Sequence, residues 1–244
     1  MYTNAFITAI LFGLANSAAI ETRQTLITSK EFSLGGCRDI LFAWARGSTE
    51  AGNMGTIVGP PTSDALKRTF GANNVATEGI DYAALLSTNA LPGGTDALSE
   101  RLMQNTLNSM AEKCPNSVIV TGGYSQGAAV NHRAIEGLSA AVQDQIAGVI
   151  LYGDTQKLQD NNKIPNFPAN KVKIICATGD LVCFGTLTVT AAHLTYGTRA
   201  TEGAAFLAQQ IRAAQAKIKA RNMAREAEEV VAKNLDMVAK ALVV

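Results

Sequence analysis

Ser125 lies in Gly123-Tyr124-Ser125-Gln126-Gly127, a Gly-x-Ser-x-Gly pattern between Val118-Ile119-Val120 and Ala128-Ala129-Val130. An apolar run of strand length before the pattern and helix-compatible residues after it form the context in which it presents a nucleophilic serine. The flanking glycines have no Cβ, so a sharp strand-to-helix turn can close and hold the hydroxyl exposed at a helix N-terminus, facing developing negative charge. A serine hydroxyl is a poor nucleophile until a base takes its proton, and histidine is the usual base near neutral pH. The chain has two histidines. His132 lies about 10.5 Å beyond Ser125 along the same helix, out of reach of the hydroxyl, and a solvated helix position is expected for it. His193 follows the last strand-like run and a glycine-containing loop, where a strand-and-helix architecture presents such a base. Activity should therefore rise with pH as His193 loses its proton.

A carboxylate must orient that imidazole, and Asp154 and Asp180 both fit the chain order serine, acid, histidine. Asp180 is preferred, because it sits between Cys176 and Cys183 in a loop that a disulfide would stiffen. Asp154 reads otherwise as a turn residue or helix N-cap. The tetrahedral intermediate also needs hydrogen-bond donors aimed at its oxygen. Gln126 can supply its backbone N–H. Ser48, in Arg46-Gly47-Ser48-Thr49-Glu50 after an early apolar run, can supply both N–H and hydroxyl, although spacing alone reads this loop equally well as an ordinary polar turn.

These residues must be carried by a scaffold. Apolar runs at Ile40 to Ala45, Val118 to Thr121, Val149 to Tyr152 and Val172 to Ala177 read as buried parallel strands. Asp96 to Lys113 and Gly127 to Gly137 between them carry apolar residues at helical spacing. The alternation predicts an α/β fold, a three-layer helix-sheet-helix sandwich. From Ala204 to Val244 there is neither glycine nor proline, so this stretch should be helical. Leu207, Ile211, Ala214 and Ile218 form one apolar stripe, expected to close the domain, and Val231, Leu235, Val238 and Leu242 form a second. Six positive against four negative charges from Lys217 to Lys240 are too balanced for strong membrane attraction. The end of this helix reads as solvated or loosely docked, with self-association or surface adhesion as the other readings.

The 244 residues are 47% hydrophobic and 17% charged, enough apolar material for one sizeable core and too much for intrinsic disorder. A net charge of +1 supplies no field to attract nucleic acid or anionic lipid. Ala5 to Ala15 holds only apolar residues, glycine and threonine ahead of small residues and Glu21, which reads as a secretory signal over 1–19 with no Lys or Arg before it. Export would make disulfides of Cys37, Cys114, Cys176 and Cys183. Three connectivities are possible. The short spacing favours Cys176 with Cys183, which leaves Cys37 with Cys114, and no Cys-x-x-Cys pair supports a zinc site. No Asn-x-Ser/Thr triplet occurs, so N-glycosylation is not expected.

Taken together, Ala45-Arg46-Gly47-Ser48-Thr49-Glu50, Asn89-Ala90-Leu91-Pro92, Gly122 to Gly127, Gly179-Asp180-Leu181-Val182-Cys183 and His193-Leu194-Thr195-Tyr196-Gly197 resemble the fungal cutinases. These belong to the cutinase and acetylxylan esterase family of serine esterases, and the resemblance covers roughly residues 35 to 200. It implies an α/β-hydrolase-like fold with a central five-stranded parallel sheet and no helical lid. It also implies a triad of Ser125, Asp180 and His193, oxyanion donors Ser48 and Gln126, Asn89 orienting the Ser48 hydroxyl, and disulfides Cys37 to Cys114 and Cys176 to Cys183. Leu86, Leu187, Val189 and Leu194 would line the acyl groove, each equally compatible with a core position. Thr188 departs from the family's apolar rim, Trp44 is unusual for it, and the tail beyond about Lys219 has no counterpart.

The expected protein is thus a secreted, extracellular monomer hydrolysing cutin polyester and short-chain esters, with no metal or cofactor, no nucleic-acid partner and no stable membrane insertion. Its parts would be the leader 1–19, a short segment 20–34 compatible with a pro-segment, a catalytic domain 35–219 and a helical extension 220–244. Acetylxylan is the alternative substrate, and a catalytically silent secreted binding protein is the alternative from another class.

Overall fold

Ile40, Phe42 and Trp44 alternate with Leu41, Ala43 and Ala45, and all six side chains are buried. A strand apolar on both faces has to be covered on both. The computed structural model describes residues 24–241; the leader 1–19 and residues 20–23 lie outside them. Along the chain run α1 (Glu31–Gly35), β1 (Ile40–Ala45), α2 (Gly59–Phe70), β2 (Val75–Gly79), α3 (Ala97–Lys113), β3 (Val118–Tyr124), α4 (Gln126–Glu136), α5 (Ala140–Gln145), β4 (Ile146–Tyr152), β5 (Val172–Ile175) and α6 (Ala200–Ala241). The strands form one parallel sheet in the order β2-β1-β3-β4-β5.

One face, with Leu41, Ala43, Ile119, Val149 and Leu151, packs on Met103, Leu107 and Met110 of α3 and on Val130, Ala134 and Ile135 of α4. The other, with Phe42, Trp44, Val120, Ile150 and Tyr152, packs on Leu66 of α2 and on Leu207 and Ile211 of α6. The result is the α/β helix-sheet-helix sandwich with five parallel strands. Trp44 is the largest fully buried side chain; its Nε1–H donates to Met54 O at 2.9 Å, and a Cβ on the neighbouring Gly122 would come within 3.0 Å of its ring.

Two elements have weak sequence patterns. β2 is Val-Ala-Thr-Glu-Gly, polar for a buried strand; its burial is allowed because the Thr77 hydroxyl bonds Ser63 Oγ at 2.6 Å, Thr77 N–H donates to Glu31, and the Glu78 carboxylate accepts from Phe32 and Ser33 N–H. α2 opens on Pro60-Pro61 and is followed by Gly71, a proline-first, glycine-last helix. Residues 24–35 also belong to the packed body: Thr25 N–H donates to Asp64 at 2.6 Å, Ser29 bonds Asn53 and Thr77, and Phe32 is buried.

Chain order reverses direction across the sheet between β1 and β3, and in parallel α/β sheets ligands bind at the carboxyl ends of strands flanking such a point. The loops after β1 and β3 carry Ser48 and Ser125. Opposite them, α6 follows the body through Ala214 and Ile218, which are partly buried, and from Lys219 to Leu235 every residue is exposed. The first apolar stripe thus closes the domain, while Val231 and Leu235 of the second face solvent.

Candidate active site

β3 ends at Tyr124 and α4 begins at Gln126, so one residue makes the turn. Ser125 adopts φ 55° and ψ −119°, a left-handed conformation that a non-glycine residue takes only when held. Two close approaches hold it: a Cβ on Gly123 would lie 2.2 Å from Gly127 O, and one on Gly127 would lie 2.0 Å from Ala45 O. Ser125 N–H donates to Tyr152 O at 2.9 Å, tying the turn to β4. The hydroxyl is left partly exposed at the first turn of α4, where backbone N–H groups lack intrahelical acceptors.

Ser125 Oγ lies 3.0 Å from His193 Nε2, and His193 Nδ1 lies 2.8 Å from Asp180 Oδ2. An ionised carboxylate only accepts, so this pattern assigns the ring proton to Nδ1 and leaves Nε2 to accept from the serine. Asp180 is fully buried and His193 nearly so. The carboxylate takes two further bonds, from Val182 N–H at 3.0 Å and from the Tyr196 hydroxyl at 2.5 Å. Burial, and after it the bond to Asp180, pushes the Tyr196 phenol well up, so it stays a donor. Tyr124 donates its hydroxyl to His193 O at 2.7 Å, and its ring stacks at 5.1 Å from the imidazole. Tyr124 and Tyr196 stand inside the sequence motifs, yet nothing in their spacing reveals what their hydroxyls touch.

Cys176 is bonded to Cys183 and Cys37 to Cys114. The first bridge closes the loop that holds Asp180; the second ties the entry to β1 to the end of α3. No group of three or more potential metal-ligating side chains occurs among the described residues.

Ser48 and Asn89 line the same cleft as Ser125. Asn89 Nδ2 donates to Ser48 Oγ at 2.8 Å, which occupies a lone pair of the hydroxyl and leaves its proton to be given elsewhere. Gln126 is the first residue of α4, and its side-chain amide donates to Leu85 O and Thr88 Oγ1, pinning the 85–90 turn beside the serine. A cleft of about 480 Å³ joins Ser48, Asn89, Ser125 and His193 to Leu86, Leu187, Val189 and Leu194, these four leucine and valine side chains all more than half exposed. Thr188 is not among the residues lining it.

His132 does not occupy a solvated position. It is fully buried, with Nε2 3.0 Å from Asp154 and Nδ1 2.7 Å from Asp160. Burial opposes its charge, but the two carboxylates outweigh burial and push its pKa up to about 9, so both ring nitrogens carry protons at neutral pH. Asp154 therefore serves His132, and also accepts from Gln156 N–H at 2.8 Å as a turn residue. Periodicity places residue 132 on α4 but says nothing of the loop that folds over it.

A parallel sheet bearing a hydroxyl, an imidazole and a buried carboxylate in series at its carboxyl edge has the architecture of the α/β-hydrolase class. The family model for cutinase matches residues 36–211. Cutinase CUT2 of Pyricularia oryzae is 48% identical over 206 residues, covering 84% of this chain and 96% of that one. Probable cutinase 1 of Aspergillus niger is 49% identical over 186 residues, covering 75% and 71%. Among solved structures, a Trichoderma reesei cutinase in complex with a phosphonate inhibitor is 34% identical at a TM-score of 0.66, covering 72% of this chain and 77% of that one. An acetyl xylan esterase, 21% identical at a TM-score of 0.55 and covering 72% and 99%, shares the fold. The chain belongs to the cutinase family and is a carboxylic ester hydrolase.

Proposed function

We propose that the chain is a secreted serine esterase that hydrolyses cutin polyester and short-chain carboxylic esters through an acyl-enzyme on Ser125. The observation that carries this reading is the continuous hydrogen-bonded series from Ser125 Oγ through His193 to Asp180, at 3.0 and 2.8 Å, opening into an apolar cleft. His193 Nε2 takes the serine proton as Oγ attacks the ester carbonyl, and Asp180 stabilises the imidazolium that forms. The oxygen of the tetrahedral intermediate is met by the Gln126 N–H and by Ser48, whose hydroxyl Asn89 orients. His193 then gives the proton to the departing alkoxide. Water, deprotonated by the same imidazole, attacks the acyl-enzyme and releases the acid and free Ser125.

Leu86, Leu187, Val189 and Leu194 line the groove for the acyl chain, and their apolar surface favours aliphatic polyester over acetylated xylan. The catalytic body comprises residues 24 to about 219, with 220–241 a helical extension; the leader would be removed on export. A substrate panel on purified protein tests the assignment: cutin and p-nitrophenyl esters should be cleaved, and strong preference for acetylxylan would overturn it. Mass spectrometry after a phosphonate probe should find the label on Ser125. An unlabelled Ser125 with no turnover would leave a binding protein instead.

A further inference from the structure

Glu50 plays no part in the chemistry above, yet its carboxylate stands in the wall of the cleft and accepts three main-chain hydrogen bonds. Gly47 N–H donates to Oε2 at 2.7 Å, and Thr56 and Ile57 N–H donate to Oε1 at 2.8 and 3.0 Å. Converging backbone donors of this kind make a cradle for an anion. Gly55 completes it, since a Cβ there would lie 2.3 Å from Oε2. One carboxylate thus joins the turn that carries Ser48 to the segment that leads into α2.

The turn itself is strained. Thr49, between Ser48 and Glu50, has φ 63°, which a β-branched residue adopts only where its surroundings impose it. Main-chain bonds locate the turn: Thr49 N–H donates to Ala84 O at 2.9 Å, Glu50 N–H to Gly47 O at 3.4 Å, and the buried Arg46 donates Nε–H to Glu50 O at 2.8 Å. None of these meets Gly47 N–H, which belongs to the peptide leading into Ser48; the carbonyl of that peptide, at Arg46, accepts from the Tyr82 hydroxyl. The N–H is held by the Glu50 carboxylate.

We propose that Glu50 is a positioning residue for ester hydrolysis, its carboxylate clamping the Gly47–Glu50 turn in the shape that presents Ser48 to the oxyanion. This rests on the reading of Ser48 as an oxyanion donor. A glutamate that merely stabilised the loop would affect unfolding and leave turnover of the folded enzyme alone.

The test is a double-mutant cycle on p-nitrophenyl butyrate hydrolysis, with kcat, KM and thermal midpoint measured for the unaltered protein, Glu50→Gln, Ser48→Ala and the pair. Glutamine keeps the shape but sets an N–H2 against main-chain donors. Glu50→Gln should lower kcat about tenfold or more with KM within about twofold, in line with the loss of one oxyanion donor. In the Ser48→Ala background the same change should lower kcat no more than about threefold, because the two residues act as one unit. Equal losses in both backgrounds, with Ser48→Ala itself slow, would overturn the proposal and spare the oxyanion reading. Undiminished kcat in Ser48→Ala would take the Ser48 hydroxyl out of the oxyanion site and overturn the proposal with it. If Glu50→Gln does not fold, the cycle is run with Thr49→Asn throughout, since asparagine takes positive φ readily and relieves the turn.

Discussion

His132→Gln tests whether the buried imidazolium on α4 is a stability element with a defined pH window. His132 pairs with Asp154, which is fully buried, and with Asp160, which Arg133 also contacts. The charged neighbours are completed by Glu136 on the same helix. A histidine pKa raised from 6.5 to about 9 in the folded state stabilises the fold fully below the unfolded value. That contribution fades as pH rises through the folded one. At 1.36 kcal/mol per unit the window corresponds to about 3 kcal/mol. When the proton leaves, Arg133 still serves Asp160, so the unpaired charge falls on Asp154. Removing one partner of a buried pair costs about 3–5 kcal/mol, which in a domain of this size lowers Tm by roughly 10 °C. Thermal unfolding followed by circular dichroism should therefore separate His132→Gln from the unaltered protein by about 10 °C at pH 6, and by less than half of that near pH 10. An equal gap at both pH values would refute the charged-clamp account and leave only a packing defect.

Asp180→Asn should lower kcat by about 10⁴ without unfolding the chain, because the amide presents the wrong partner to His193 Nδ1; a loss under tenfold would exclude Asp180 as the orienting acid. Tyr196→Phe removes one hydrogen bond to that carboxylate and should lower stability in urea by about 2 kcal/mol, with a kcat loss smaller than that of Asp180→Asn. Serine replacement of Cys37 and Cys114 should cost about 4.5 kcal/mol by loop entropy, against about 2.5 for Cys176 and Cys183. Only the second pair should also depress kcat, since its loop carries Asp180. Leu187→Ala should shift the ratio of kcat/KM for octanoate over butyrate esters downward roughly fivefold, the effect of about 1 kcal/mol of lost apolar contact; an unchanged ratio would take Leu187 out of the acyl groove.

Much of this protein can be read along the chain because strand-helix alternation and motif order are local facts. β1, β3, β4 and β5 announce themselves as apolar runs, α3 and α4 by helical spacing, and Ser125 by two glycines and its place between a strand and a helix. β2 and α2 do not, since one is a polar edge strand whose threonine hydroxyl is met by Ser63 of α2 and whose glutamate is met by α1, and the other opens on prolines rather than an apolar stripe. The burial of His132 is hidden for a related reason: its spacing from Ser125 excludes it as the base, but burial depends on the 154–160 loop, which no period on α4 encodes.

Residue types able to do chemistry, their order, and the alternation that puts them at one edge of a parallel sheet are all legible along the chain. Assembly of the fold alone sets that Asp180 rather than Asp154 meets His193, that Tyr196 and Tyr124 donate to Asp180 and to the His193 carbonyl, and that Glu50 grips the Ser48 turn. The difference is one of range. Propensity, periodicity and turn chemistry act over a few neighbours, whereas a hydrogen bond at 2.8 Å between residues 13 apart, or at 3.0 Å between residues 68 apart, exists only after the sheet has assembled.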